Sequence, residues 1–285
     1  MPASIARRGF LAAPLLALPA FANDATSQFA ELERRNGGRL GVAALDTASG
    51  HRVGHRADEL FPLCSTFKFL AAAFVLARVD RGEEKLDRRV VFSEKDLVTY
   101  SPVTKEHVSP GSMSMAEICD AAVTLSDNTA GNLMFASFGG PAALTAYARS
   151  LGDRATRLDR IETELNEAKP GDPRDTTTPV AMLGTMQRLL IEDALSAASR
   201  DRLIGWLLAS KTGARRLRAG LPANWRVGDK TGTGNTGTAN DIAIALPPGR
   251  APILIAAYYT ESTIPDEARN TVIAEAGRLA VAGLR

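Results

Sequence analysis

The sequence is organised around FPLCSTFKF, residues 61–69, and the alanine-rich apolar run that follows it over residues 70–79 without glycine or proline. Such a run is typical of a buried helix, and a proline often stands where a chain enters a helix. Pro62 therefore predicts that Ser65 lies in or near the first helical turn. Because helical residues three apart share a face, the Lys68 ammonium can reach the Ser65 hydroxyl.

This pair indicates an activated nucleophile. A serine hydroxyl is a weak nucleophile until a neighbouring base takes its proton, and lysine is such a base only where burial or a nearby cation lowers its pKa. Phenylalanines at positions 61, 67 and 69 could form an apolar wall around it. The alternative is that Ser65 caps the helix and Lys68 is a solvated surface residue, which a lone Ser-x-x-Lys pattern does not exclude.

Residues 1–22 differ in composition from the rest of the chain. Arg7 and Arg8 precede a short apolar run that ends in small residues at Ala22. That order is typical of an export signal of the twin-arginine kind, so we expect cleavage after Ala22 and a periplasmic or secreted protein. The run is too short and too interrupted by proline to span a bilayer comfortably, so we expect no stable membrane association after cleavage.

The overall composition restricts the possible partners. The chain of 285 residues is 45% hydrophobic and 23% charged, which is typical of a soluble globular protein with a large core or two domains. The formal net charge is +2, and removal of the two signal arginines leaves zero. Since there is no basic excess, we expect neither a nucleic acid nor a membrane surface as a partner.

The histidines and cysteines do not predict a metal site. Of the three histidines, His51 and His55 lie four residues apart on a predicted strand, about 13 Å from each other, which is too far for one ion. We therefore expect no metal and no cofactor. Cys64 and Cys119 could form a disulfide in an exported protein. However, Cys64 adjoins the proposed nucleophile and Cys119 lies in a separate apolar segment, so we predict two buried free thiols.

Strand patterns occur near both ends of the chain and helical patterns mainly between them. The strand patterns cover residues 39–46, 51–55, 225–229, 239–246 and 252–259. The helical patterns cover residues 28–36, 117–124, 128–138, 141–150, 179–190, 199–208 and 268–284. A sheet built from both chain ends predicts one discontinuous α/β domain, residues 23–62 and 212–285, with an all-helical domain inserted at residues 63–211. The charged stretch 157–178 has little periodicity and is predicted to be a functional or disordered loop.

Two further motifs lie at the ends of predicted elements. Ser126-Asp127-Asn128 follows an apolar helix, where Ser and Asn could simply cap the next helix. Lys230-Thr231-Gly232-Thr233 follows a strand pattern. A second Lys-Thr-Gly, residues 211–213, follows a helical run, and there the pattern predicts Gly213 as a helix C-cap and Lys211 as a last-turn cation. We therefore place the functional copy on the strand.

Ser-x-x-Lys, Ser-Asp-Asn and Lys-Thr-Gly in this order are the motifs of serine β-lactamases and penicillin-binding proteins. The sequence resembles the class A serine β-lactamases over nearly all of the mature chain, and the resemblance extends to residues 100–104, 151–153 and 160–175. It implies an α/β (α+β) fold with a discontinuous α/β domain and an inserted all-helical domain. The α/β domain would hold an antiparallel five-stranded sheet flanked by helices, with the active site between the two domains.

The resemblance also implies the roles of the catalytic residues. Ser65 would attack the lactam carbonyl and become acylated, and Lys68 would help to deprotonate it. Ser126 would pass a proton to the leaving ring nitrogen. Glu162, in the charged loop, would activate the water that deacylates the enzyme, although whether Glu162 or Lys68 is the acylation base is disputed for the family. Arg160 would pin this loop through an ion pair with Asp175.

A second group of residues would bind the substrate. The implied members are Tyr100, Asn128, Asn166, Arg216, Lys230, Thr231, Gly232 and Thr233. Lys230 would hold Ser126 and attract the substrate carboxylate, which the two threonines would also bind. Asn128 would bind the acylamino side chain, Tyr100 would be an apolar wall, and Asn166 would help to position the water. The backbone N–H groups of Ser65 and Thr233 would form the oxyanion hole.

The sequence departs from the commonest family pattern in its arginine and cysteine positions. Many members carry an arginine on the strand after Lys-Thr-Gly, but residues 236–240 contain none. Arg216 matches the earlier position from which other members supply the guanidinium, which suits bidentate pairing with a carboxylate. Ala72 stands near the place of a disulfide partner for Cys119 in some relatives. Gly234 is likewise not the cysteine of some carbapenem-hydrolysing members, which lowers the expectation of carbapenem hydrolysis.

The predicted function is hydrolysis of the β-lactam amide of penicillins and cephalosporins through acyl-Ser65, which gives antibiotic resistance. The alternatives are a D-Ala-D-Ala peptidase or penicillin-binding protein, and a penicillin sensor domain that binds covalently without turnover. Because the family is mostly monomeric, we expect a monomer whose partner is a small β-lactam.

Overall fold

The structure is a computed structural model that describes residues 22–109 and 111–285. The strands are β1 (Arg39–Asp46), β2 (Arg52–His55), β3 (Phe61–Pro62), β4 (Arg89–Val91), β5 (Ser112–Ser114), β6 (Thr176–Thr177), β7 (Arg226–Gly234), β8 (Thr238–Leu246) and β9 (Ile253–Thr260). The helices are α1 (Ala22–Asn36), α2 (Phe67–Asp80), α3 (Met115–Thr124), α4 (Asn128–Phe138), α5 (Gly140–Ser150), α6 (Pro179–Leu190), α7 (Ala197–Leu208), α8 (Leu217–Gly220) and α9 (Asp266–Gly283). Short 3₁₀ turns cover Cys64–Thr66, Glu94–Asp96, Thr104–His107 and Glu164–Asn166.

The central sheet has five strands in the order β2-β1-β9-β8-β7, and every neighbouring pair is antiparallel. Two of its strands come from the beginning of the chain and three from its end, so the predicted fold class is confirmed. The sheet is covered on both faces, which explains why β9 is buried along its whole length. The division into two domains stays a prediction.

Two apolar clusters occupy the two faces of this sheet. Successive strand residues point to opposite faces, and the neighbours Tyr258 and Tyr259 accordingly belong to different clusters. One cluster contains α1 and α9, and the other contains α2 together with much of the helical part of the chain. Strand β7, which carries the Lys-Thr-Gly motif, is held at the edge of this sheet by its pairing with β8, and Val227 anchors it in the cluster that contains α1 and α9.

Helix α2 lies in the middle of the larger cluster. Its first seven residues, 67–73, are all buried, and a helix that is apolar all round is expected to be buried. Phe67 stacks on Phe135 of α4 with ring centroids 4.8 Å apart. The packing therefore fixes the N-terminal end of α2, where Ser65 and Lys68 lie.

Most element bounds follow the predicted ones, although α1 begins at Ala22, well before the predicted residue 28. Two further differences are instructive. Strand β7 runs through the motif to Gly234 because the residues after Asp229 pair with β8, from Lys230 opposite Ile242 onward. The predicted helix cap at Gly213 is wrong, since α7 ends at Leu208. A glycine is instead needed at 213 for packing, because a Cβ there would lie 1.9 Å from Asp229 Oδ2.

Three other expectations concern the cysteines, the export signal and the membrane. Cys64 and Cys119 are both buried and free, as predicted. The predicted signal, residues 1–22, lies outside the described residues except for Ala22, at which α1 begins. No helix in the described ranges combines the length and apolar character that a membrane span requires.

Candidate active site

The 3₁₀ turn Cys64–Thr66 presents Ser65 directly before α2. Its first residue, Cys64, has a φ of +45°, an uncommon conformation for a residue with a side chain and one that often accompanies functional sites. Lys68, in the first turn of α2, lies with Nζ 2.9 Å from Ser65 Oγ, as the spacing predicted. Ser65 makes no helix-capping bond in the described structure, because the N-cap of α2 is Thr66 and uses no side-chain bond.

Lys68 is fully buried, so the interpretation as a solvated surface residue is wrong. Its Nζ donates to Asn128 Oδ1 at 2.6 Å and to the Ser126 carbonyl at 2.8 Å, and it lies 2.8 Å from Glu162 Oε1. Burial lowers the pKa of Lys68, whereas the Glu162 carboxylate acts on it in the opposite direction. Together with Ser65 Oγ, these contacts place four oxygens around Lys68 Nζ, which has at most three N–H groups. Lys68 Nζ is therefore close enough to Ser65 and to Glu162 to exchange a proton with either.

Glu162 closes a triangle with Ser65 and Lys68. Ser65 Oγ donates to Glu162 Oε1 at 3.1 Å, and Asn166 Nδ2 donates to Glu162 Oε2 at 2.5 Å. The Glu162 residue is only 3% exposed. The serine hydroxyl therefore has two possible proton acceptors within hydrogen-bond reach, which is the geometry expected of an activated nucleophile.

The loop that carries Glu162 is fixed at its base by the predicted ion pair. Arg160 Nε lies 2.6 Å from Asp175 Oδ2, and the Asp175 side chain is almost fully buried. Its Oδ1 also accepts from the backbone N–H groups of Asp159 and Arg160, at 2.7 and 3.0 Å. The loop is thus ordered by charge-assisted bonds rather than by regular secondary structure.

Asn132, which the sequence analysis missed, binds the same loop from α4. It accepts from the Glu162 N–H at 2.8 Å and donates to the Glu162 carbonyl at 2.9 Å. The available signal was its spacing, since Asn132 follows Asn128 by four residues and so shares its helix face. Between them, Gly131 leaves room for the lysine, because a Cβ at this position would lie 2.9 Å from Lys68 Cε.

The Ser-Asp-Asn motif divides its residues between capping and the cleft. Asp127, and neither Ser126 nor Asn128, is the N-cap of α4, and it accepts from Ala130 N–H at 2.8 Å. Asp127 also accepts two bonds from Thr104. The capping role considered for Ser126 and Asn128 is therefore wrong, and both side chains are available to the cleft.

Lys230 reaches Ser126 from the opposite side of the cleft. Its Nζ donates to Ser126 Oγ and to the Thr231 carbonyl, at 2.9 and 2.8 Å. The side chain is fully buried, and burial lowers the pKa of Lys230 well below its ordinary value, with the nearby Lys68 acting in the same direction. The arrangement links the two lysines through one serine.

Arg216 lies behind the strand that carries Thr233. Its Nη2 donates to Thr233 Oγ1 at 2.7 Å, and its Nη1 donates to the carbonyls of Gly232 and Asn240. Burial lowers the pKa of Arg216. Gly232 permits a close approach to the nucleophile's turn, because a Cβ there would lie 3.3 Å from Ser65 N.

Tyr100 and Asn128 form the remaining edge of the cleft. Tyr100 is 56% exposed and has a φ of +64°, and its carbonyl accepts from Asn128 N–H at 3.0 Å. Asn128 Nδ2 donates to the Thr99 carbonyl while its Oδ1 accepts from Lys68. One hydrogen-bonded network joins Ser65, Lys68, Ser126, Asn128, Glu162, Asn166, Lys230 and the Thr231 carbonyl. A second group joins Arg216 to Gly232 and Thr233, which follow Thr231 on β7. Tyr100 borders the first network through its backbone.

The comparisons with known proteins agree with this geometry. The model of the β-lactamase enzyme family matches residues 24–284. The chain is 52% identical over 260 residues to β-lactamase AST-1 of Nocardia asteroides, covering 91% of this chain and 84% of that protein. It is 47% identical over 266 residues to β-lactamase CTX-M-8 of Citrobacter amalonaticus, covering 93% and 91%.

A solved structure extends the likeness to three dimensions. The ancestral (GNCA) class A β-lactamase is 64% identical, with a TM-score of 0.89 over 91% of this chain and 99% of that one. Family model, relatives and structure agree over almost the whole length. The chain therefore belongs to the β-lactamase enzyme family and, within it, to class A.

Proposed function

We propose that this protein hydrolyses the β-lactam amide of penicillins and cephalosporins and so confers antibiotic resistance. The observation that carries the proposal is the contact between Glu162 Oε1 and Ser65 Oγ at 3.1 Å, with Asn166 on the other carboxylate oxygen. A carboxylate beside the nucleophile can activate water against an acyl-serine ester. That capacity distinguishes a hydrolase from a protein that is only acylated.

In the acylation step, Ser65 Oγ bonds to the lactam carbonyl carbon and gives its proton to a neighbouring base. Lys68 and Glu162 both lie within reach, and the lowered pKa of Lys68 makes release of its proton easier than for an ordinary lysine, as a base in this step requires. The negative charge that develops on the carbonyl oxygen is stabilised by the N–H groups of Ser65 and Thr233. The close approach of β7 to the Ser65 turn supports this assignment.

Collapse of the tetrahedral intermediate breaks the ring C–N bond. Ser126 donates its hydroxyl proton to the departing nitrogen and regains one from the lysines around it. Its contact with Lys230 at 2.9 Å supports this role. The product of the step is an ester between Ser65 and the opened substrate, so the nitrogen has become a neutral amine.

Deacylation then uses water. Glu162 accepts a proton from a water molecule held by Glu162 and Asn166, and the water oxygen attacks the ester carbonyl. The Ser65 oxygen leaves and takes back the proton that Glu162 accepted, which restores both residues and releases the opened acid. The buried, hydrogen-bonded position of Glu162 supports this role because it fixes the base before the reaction.

The substrate is held by groups on both sides of the cleft. Lys230, Arg216 and the two threonines of β7 bind its carboxylate, and Asn128 binds the acylamino group. Tyr100 provides an exposed aromatic wall at the rim. We also propose that the protein is exported by the twin-arginine route to the periplasm or the medium, and that it acts as a monomer.

A penicillin-binding protein and a penicillin sensor would share Ser65 and Lys68 but would not turn over rapidly. The protein should be incubated with benzylpenicillin while ring opening is followed by absorbance and intact mass is measured over time. We expect rapid opening without a lasting mass increase. A stable adduct on Ser65 with little turnover would overturn the proposal in favour of a sensor or binding protein.

A further inference from the structure

The second Lys-Thr-Gly copy, residues 211–213, has no part in the function proposed so far. The structure brings it against the first copy, because Thr212 Oγ1 lies 2.6 Å from Thr231 Oγ1. Thr231 is buried on β7, and Thr212 is half-buried behind it. The two motif copies therefore meet through their central hydroxyl groups.

The segment around Thr212 is held in place on both sides. Lys211 N–H donates to the Thr124 carbonyl at 2.8 Å, at the end of α3. Ser210 Oγ and Arg218 both bond to the Asp229 carboxylate, which also packs on Gly213. Thr212 is thus fixed relative to β7 rather than free to follow the movements of a surface loop.

Hydrogen-bond direction decides what each threonine of β7 can offer the substrate. An arginine has donors only, so Thr233 must accept from Arg216, and its own proton is left to face the cleft. Thr231 and Thr212 share one proton between their oxygens, and either can be the donor. An ionised carboxylate can only accept hydrogen bonds. When the substrate carboxylate binds, Thr231 must therefore donate its proton to the carboxylate. The bond between the two threonines then has Thr212 as the donor and Thr231 as the acceptor.

We propose that Thr212 is a positioning residue of the carboxylate subsite. It donates to Thr231 and thereby leaves the Thr231 proton directed at the substrate, just as Arg216 does for Thr233. Hydrogen bonds in such a chain strengthen one another. The inference rests on the proposed function in one respect, namely that Thr231 binds the substrate carboxylate.

The test uses Thr212→Val, which replaces the hydroxyl with a methyl group of similar shape. We expect KM for benzylpenicillin to rise about fivefold with kcat almost unchanged, since one neutral hydrogen bond is lost. Thr212→Ser should restore the KM of the unaltered protein. A control exists at Thr238 and Thr260, whose hydroxyl oxygens lie 2.7 Å apart and are buried in the same sheet as Thr231. Thr238→Val should leave KM unchanged.

A double-mutant cycle separates positioning from simple packing. If Thr212 acts through Thr231, Thr212→Val should have no further effect in a Thr231→Val background. A fivefold rise that persists in that background, or no rise in the single variant, would overturn the inference. Equal melting temperatures of the Val and Ser variants would exclude a folding defect as the cause of any difference.

Binding without turnover keeps this inference distinguishable from the proposed function. In a Ser65→Ala background, the Kd for benzylpenicillin should also rise about fivefold on Thr212→Val. If the unaltered protein fails to turn over but this shift is seen, the hydrolase proposal falls and the positioning role stands. If the unaltered protein turns over normally but Thr212→Val changes neither Kd nor KM, only the positioning role is overturned. If the protein does not bind benzylpenicillin at all, both the hydrolase proposal and the positioning role are overturned.

Discussion

The two walls of the cleft balance their buried charges in different ways. The helical wall, formed by Ser65, Lys68, Ser126 and Glu162, holds a lysine in direct contact with a carboxylate at 2.8 Å. The strand wall, formed by Lys230, Thr231 and Thr233 with Arg216 behind them, also holds buried cations. Their described hydrogen bonds are with hydroxyl, carbonyl and amide oxygens.

This difference corresponds to a difference in task. A buried charge is costly unless it is paired, and the helical wall supplies both partners itself. On the strand wall, no carboxylate of the described residues is in direct contact with these cations, which leaves them able to pair with a substrate carboxylate. We infer that the helical wall is built for proton transfer and the strand wall for anion binding, and the following experiments test that division.

The largest effect is expected on the helical wall. Lys68→Met removes a proton acceptor beside Ser65 and should lower kcat/KM for benzylpenicillin about a thousandfold. It also leaves Glu162 buried without its cation, so the free energy of unfolding should fall by about 3 kcal/mol. Stability should recover in Lys68→Met/Glu162→Gln, whereas activity should not. Recovery of activity in the double variant would contradict the proton-transfer role.

A smaller, purely binding effect is expected on the strand wall. Arg216→Ala removes a guanidinium and its bond to Thr233, and it should raise KM for penicillins about tenfold with little change in kcat. The neighbouring Arg215, which is exposed and paired with Glu267, gives a control with the same charge change. Arg215→Ala should leave KM unchanged. A fall in kcat equal to the loss in kcat/KM for Arg216→Ala would instead place Arg216 in the chemistry.

The smallest expected effect is a pH dependence of benzylpenicillin binding that is caused by Lys230. Burial lowers the pKa of Lys230, so its charge is present at low pH and is lost as pH rises, at a lower pH than for an ordinary lysine. The Kd of Ser65→Ala for benzylpenicillin should therefore rise on the alkaline side. Because arginine stays protonated, Lys230→Arg should move this rise to higher pH. A pH profile identical in both backgrounds would show that Lys230 does not govern anion binding.

The sequence predicted best what depends on neighbouring residues. Helices α4 and α6 have the predicted bounds because their ends are marked locally, by Gly139 after α4 and by Thr178 before α6. The contact between Ser65 and Lys68 followed from helical spacing alone. By contrast, β7 continues past its predicted end through pairing with β8, which the local pattern does not contain.

The same limit applies to the site. The motif residues could be proposed because motif order carries information, whereas Asn132 and Thr212 were not proposed because their partners are distant in sequence. Asn132 binds the Glu162 backbone 30 residues away, and Thr212 meets Thr231 across 19 residues. Asn132 holds the backbone of Glu162, and Thr212 bonds to the side chain of Thr231. Neither residue belongs to one of the three motifs that point to the function. Only the three-dimensional arrangement identifies them.

The central claim is that Glu162 activates the water that frees Ser65. It is tested most directly by intact-mass measurements on Glu162→Ala after mixing with benzylpenicillin, with Ser65→Ala as the control. We predict that Glu162→Ala gains the mass of one substrate and keeps it, whereas the control gains none and the unaltered protein shows no lasting gain. Continued turnover by Glu162→Ala at the original rate, with no adduct, would contradict the account.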